Sequence, residues 1–159
     1  LRAGTININP TNRIPRTLAK RFWRGEHSGL RAYDLISPER ASKNIGEFCV
    51  LMPGQEDIVL TKEVVGIRTT EKSYFDQFYL MWALSLKVVR DQWNRIIFMQ
   101  TNREDVGKRF YEIKIPLPTD KKVADYFSKP FRDYYNNLTS IKRKFWSDLE
   151  QSNFKHHIY

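Results

Sequence analysis

The chain has 159 residues, a formal net charge of +9, 14% aromatic residues and a single cysteine. That length supports one hydrophobic core, and the aromatic content argues against intrinsic disorder. Lone Cys49 excludes an internal disulfide framework. No run of about 18 apolar residues is present to span a bilayer. The excess of cations favours a polyanionic partner, nucleic acid or an anionic membrane surface. No basic start with an apolar run marks a signal peptide, and the unpaired cysteine suits the cytoplasm. The opening at Leu1, without a methionine, suits a fragment of a longer protein.

In chain order, Thr5-Ile6-Asn7-Ile8 is a short β-like run ended by Pro10. A basic stretch follows from Arg13 to Arg31, with Phe22 and Trp23 inside it, and reads as loop or loop with a short helix. Phe48 to Met52, Ile58 to Leu60 and Val64-Val65 read as short strands, separated by the turn signal Pro53-Gly54. From Ser73 to about Ile97 the period changes. Phe75, Phe78, Tyr79, Trp82, Leu86, Val89, Trp93 and Ile96 recur at steps of three and four, which predicts one amphipathic helix facing the core. Ser73 and Asp76 resemble a capping box.

Residues 101–109 are polar and charged and read as a loop, and Tyr111 to Ile115 as a last strand stopped by Pro116 and Pro118. Thr119-Asp120 then caps a long C-terminal helix. Its apolar positions run from Val123 to Leu149 over roughly eight turns. Pro130, inside that pattern, predicts a kink or a division of the helix. The expected fold is α+β: a small domain with a mostly antiparallel twisted sheet and one packed helix, followed by the long helix. The expected division is a globular unit at 1–118, a spacer helix at 119–152 and a tail at 153–159. The helix carries more apolar face than one domain needs, which predicts pairing through Phe131, Tyr134, Leu138, Ile141, Phe145 and Leu149.

Chemistry is sparsely supplied. His27, His156 and His157 are not spaced as metal ligands, so no metal site is expected. Cys49 lies in an apolar run far from any histidine, and there is no glycine-rich phosphate loop. Glu112-Ile113-Lys114 resembles the Glu-x-Lys of Mg-dependent nucleases, but the upstream acid would have to be Asp57 or Asp91. The remaining chemistry is that of basic and polar segments. Lys and Arg neutralise phosphates, Arg also bridges guanine, and Asn or Gln pairs with adenine. The candidate DNA contacts are Arg13, Arg16, Lys20, Arg21, Arg24, Lys62, Arg68, Gln100, Asn102, Arg103, Lys108 and Arg109. Single-strand binding through Phe22 and Trp23 and a protein-interaction scaffold built on the long helix are the other classes open at this point.

Three stretches together carry a resemblance. They are Glu56-Asp57-Ile58-Val59-Leu60-Thr61-Lys62 leading to Gly66, Phe75-Asp76-Gln77-Phe78-Tyr79-Leu80 leading to Leu84, and Phe110 to Pro118 with Ile115-Pro116-Leu117-Pro118 before the helix. In this order they resemble the target-recognition domain of type I restriction specificity subunits and of methyltransferases with fused specificity domains. The resemblance covers about residues 46–150. Glu56-Asp57 stands where the family has Gly-Asp, and Asn102 to Gly107 where many members carry a glycine-rich turn. It implies a non-catalytic reader of half of a bipartite double-stranded DNA target. It also implies a long helix that pairs antiparallel with that of a second recognition module, by homodimerisation or within a longer chain. A DNA methyltransferase partner would hold the S-adenosylmethionine, so no cofactor is expected on this chain.

Overall fold

The computed structural model describes residues 14–39, 44–98 and 106–151. The expected strand Thr5 to Ile8, residues 101–105 of the expected loop and the expected tail 153–159 lie outside them. The described elements are α1 (Arg16–Trp23), β1 (Leu35–Pro38), β2 (Cys49–Val50), β3 (Val64–Ile67), α2 (Gln77–Ser85), α3 (Lys87–Phe98), a 3-10 helix (Gly107–Glu112) and α4 (Lys121–Gln151). The class is α+β.

The sheet is antiparallel in the order β2-β1-β3. Leu35 faces Val50 on one side and Ile67 on the other, and Pro38 closes the ladder against Val64. All four β1 residues are buried. Side chains alternate across a strand, and the two faces of β1 accordingly supply two clusters. Leu35 enters the main core with Leu80, Met81, Leu84, Val89, Trp93 and Ile96 from α2 and α3. Ile36 packs with Val64, Leu30 and Leu60 on the opposite face.

The continuous helix expected over 73–97 is two helices. Leu86 adopts an extended backbone (φ −64°, ψ 136°) between α2 and α3. Its side chain packs against the core, so burial of Leu86 is gained at the break. Asp76 is itself the N-cap of α2, its carboxylate accepting from the Tyr79 N–H at 2.9 Å.

Two expected strands are not strands. Over Ile58 to Leu60 the chain bonds with side chains instead: the Trp23 indole N–H donates to the Ile58 carbonyl at 2.8 Å, and the Ser28 hydroxyl to the Glu56 carbonyl at 2.5 Å. Tyr111 and Glu112 close the 3-10 helix, and residues 113–118 continue without a strand neighbour. Gln92 of α3 takes that neighbour's place. Its side-chain amide accepts from the Lys114 N–H at 2.9 Å and donates to the Lys114 carbonyl at 2.8 Å. The phenols of Tyr79 and Tyr74 donate to the Pro116 and Pro118 carbonyls further along.

α4 opens with the Asp120 carboxylate accepting from the Val123 N–H at 2.9 Å. It runs through Pro130 undivided. Pro130 is exposed, so the carbonyl it leaves unbonded one turn earlier can be hydrated. The first five turns of α4 belong to the globular core. Ala124 is buried with Tyr79 and Ala83 of α2, and Phe131 and Tyr135 pack on the main core. The expected boundary at residue 118 therefore does not separate two packing units.

Gln92→Ala should lower stability by about 1 kcal/mol, the worth of two solvent-accessible hydrogen bonds. Urea denaturation checks this, and an unchanged midpoint would show that the clamp contributes nothing.

Candidate nucleic-acid interface

α1 is short, and its environment sorts its cations. Ala19 is buried and Trp23 is tied to Ile58, so this side docks on the 56–58 segment. Arg16 pairs with Asp57 at 3.2 Å and Lys20 with Glu26 at 2.5 Å. The hydrogen bond from Lys20 holds the Glu26 carboxyl below the usual carboxylate range. Arg21 and Arg24 are exposed and form no ion pair with another described residue. Arg24 ends α1 in the left-handed region (φ 55°), where the helix terminates without a glycine.

Lys62 and Lys108 are likewise exposed and unpaired among the described residues. Lys62 follows the segment on which α1 docks, whereas Lys108 lies on the 3-10 helix. Arg109 is held by Glu112, with nitrogen–oxygen distances of 2.9 and 3.1 Å. That hydrogen bonding raises the Arg109 guanidinium above its ordinary range and lowers the Glu112 carboxyl. Arg13, Gln100, Asn102 and Arg103 lie outside the described residues.

Arg68 has a different occupation from the one expected. Its guanidinium donates to the Asp34 carboxylate at 2.5 Å and to the Gly29 carbonyl at 2.9 Å. The Asp34 side chain is only 3% exposed and also accepts from the Arg31 N–H at 2.8 Å. A carboxylate so placed requires its cation, so Arg68 serves the fold. The acids of the nuclease motif are scattered in the same way. Glu112 pairs with Arg109, Asp91 with Lys87 and Asp57 with Arg16. No group of three metal-ligating side chains comes together among the described residues. Burial pushes the Cys49 thiol up to about 11, which disfavours the thiolate a nucleophile needs.

Apolar exposure adds a feature that sequence reading passed over. Leu18 and Phe22, the latter 63% exposed, lie four residues apart on the outer face of α1, and Ile14, also exposed, stands four residues earlier, just ahead of the helix. The step of four was visible in the sequence, but the basic residues between obscured it. Trp23, the other aromatic of that stretch, is engaged with Ile58.

On α4 the last buried residue is Thr139, held by the Tyr33 hydroxyl at 3.3 Å. Tyr134, Ile141 and Phe145 are 61%, 66% and 54% exposed, with Leu138 and Leu149 half-buried along the same stripe. Trp146, absent from the expected set, packs edge-on against Phe145. Phe131, also half-buried, differs from these in packing on the chain's own core. No described helix is long and apolar enough to cross a membrane.

No protein-family model matches the chain, and neither curated proteins nor solved structures give a match.

Arg68→Ala should cost about 3 kcal/mol, because it leaves the Asp34 carboxylate buried and unpaired. Thermal or urea unfolding checks this. A loss below about 1 kcal/mol, the scale of an exposed pair, would return Arg68 to the surface cations.

Proposed function

We propose that this chain is a sequence-specific reader of double-stranded DNA, the specificity module of a cytoplasmic restriction–modification system, and performs no catalysis itself. The observation that carries the reading is the set of exposed cations Arg21, Arg24, Lys62 and Lys108, unpaired among the described residues in a chain of net charge +9. Cations already paired within the chain gain less from a phosphate than cations facing only water. Arg21 and Arg24 lie at the end of a helix docked on the 56–58 segment, and Arg offers the fork of donors that fits phosphate or the guanine edge. The resemblance to target-recognition domains supports the same reading. Its three stretches fall on the approach to β3, on α2 and on the 113–118 segment that enters α4.

In this reading the exposed stripe of α4 pairs with the corresponding helix of a second recognition module. A methyltransferase partner supplies S-adenosylmethionine and the chemistry. A pure interaction scaffold is the second reading, favoured by the exposure of Tyr134, Ile141 and Phe145. It requires no affinity for DNA.

Two outcomes test the proposal. The double variant Arg21→Ala, Arg24→Ala should bind duplex DNA more weakly, with a log–log salt slope shallower by about 2, close to one counterion per lost phosphate contact. Fluorescence anisotropy across a salt series measures this, and an unchanged slope removes α1 from the interface. Ile141→Asp and Phe145→Asp should each abolish helix pairing while changing the stability of the single chain by no more than about 0.5 kcal/mol, since both side chains are exposed. Sedimentation velocity reads the assembly, and its persistence in both variants would assign pairing to another face.

A further inference from the structure

A cavity of about 200 Å³ lies between β1, the turn at 44–48, the junction of α2 with α3, and α4. Its apolar lining includes Leu35 of β1, Met81 and Leu84 of α2, and the rings of Phe131 and Tyr135 of α4. An apolar protein cavity of about 150 Å³ holds a benzene molecule, so this one accommodates a six-membered ring with a short substituent. Ser85, the last residue of α2, and Arg90 of α3 border it on either side of the helix break at Leu86.

The rim is charged on two sides. Glu47 and Arg90 both line the cavity and both are exposed, with a single nitrogen–oxygen approach of 3.3 Å between them. An exposed pair of this kind contributes at most about 1 kcal/mol, so a ligand opens it at little cost. The two charges are nevertheless held on elements fixed to each other. Gly46 has φ +87°, and a Cβ there would lie 3.0 Å from Cβ and Cγ of Trp93. The turn carrying Glu47 is thus pressed directly onto α3, which carries Arg90.

We propose that this cavity binds a free α-amino acid with an aromatic or branched apolar side chain. The side chain occupies the apolar lining. The α-carboxylate takes the Arg90 guanidinium, whose fork suits two parallel hydrogen bonds, and the α-ammonium takes Glu47. An amino acid carries its opposite charges on one carbon, adjacent to each other as the rim charges are. A ligand with only one of them leaves the other rim charge either unmatched or repelling it. This site is separate from the exposed cations of α1 and does not depend on the DNA reading.

L-Phenylalanine is the probe, titrated into the full chain by isothermal titration calorimetry and by amide chemical-shift mapping. Saturable binding is expected, at least tenfold tighter than for phenylacetate or phenethylamine. Arg90→Ala should weaken it at least tenfold. Ser85→Trp, which places an indole at the exposed rim, should abolish it with the circular dichroism spectrum unchanged. No saturation by about 10 mM, weaker than the ordinary range of specific affinities, would overturn the proposal. Equal binding of the three compounds, or binding of L-phenylalanine that survives Ser85→Trp, would overturn it as well.

Discussion

One carboxylate, that of Asp76, joins the two helices on which the rest of the fold depends. Its Oδ1 caps α2 by accepting from Tyr79, and its Oδ2 accepts from Nε and a terminal nitrogen of Arg132 on α4. Arg132 in turn reaches the Ser128 hydroxyl and lies over the Phe78 ring. Below this polar tie the seam is lined by small buried residues. Ala83, Ala124 and Ser128 are buried, and such small side chains allow the helices to approach closely. Trp82 stacks on Phe127 along its flank, with ring centroids 4.2 Å apart.

Seating α4 on α2 has consequences at both ends of the long helix. Its first half closes the main core through Phe131 and Tyr135, and the Tyr33 hydroxyl pins its middle at Thr139. Beyond Thr139 the sheet and α2 offer nothing further to bury, and the apolar stripe of Ile141 and Phe145 faces water. The domain therefore buries the first half of this helix for its own stability and leaves the apolar stripe of the second half exposed. The cations divide by the same logic. Arg68 and Arg132 neutralise carboxylates that hold the fold, while Arg21 and Arg24 stand outside it.

Legibility in the sequence followed the strength of local signals. The 3.6-residue period placed α4 to within a residue or two of its ends, and located the apolar stripe of α2 and α3 correctly on the core side. The break at Leu86 was not legible, because no glycine or proline marks it and a buried leucine at the junction keeps the period intact. β1 was missed for the opposite reason. Leu35-Ile36-Ser37-Pro38 is four residues without alternation, buried on both faces as the central strand, and followed by no turn signal. The 113–118 segment has strand-like composition, yet its hydrogen bonds go to Gln92 and two tyrosines, a tertiary arrangement that composition cannot reveal. Among the candidate contacts, charge identified which residues are cations. Only the fold could show that Arg16 and Arg68 have partners within the chain, since Asp57 and Asp34 are distant from them in sequence, whereas Lys20 and Arg109 pair with their near neighbours Glu26 and Glu112.

In the proposed reading the cations unpaired among the described residues serve sequence-specific DNA recognition. The most direct measurement is selection from a random-sequence duplex pool at several salt concentrations, with the retained fraction sequenced. The account predicts retention that falls steeply with salt and an enriched short motif in the retained duplexes. Absence of any retained duplex even at low salt would contradict it.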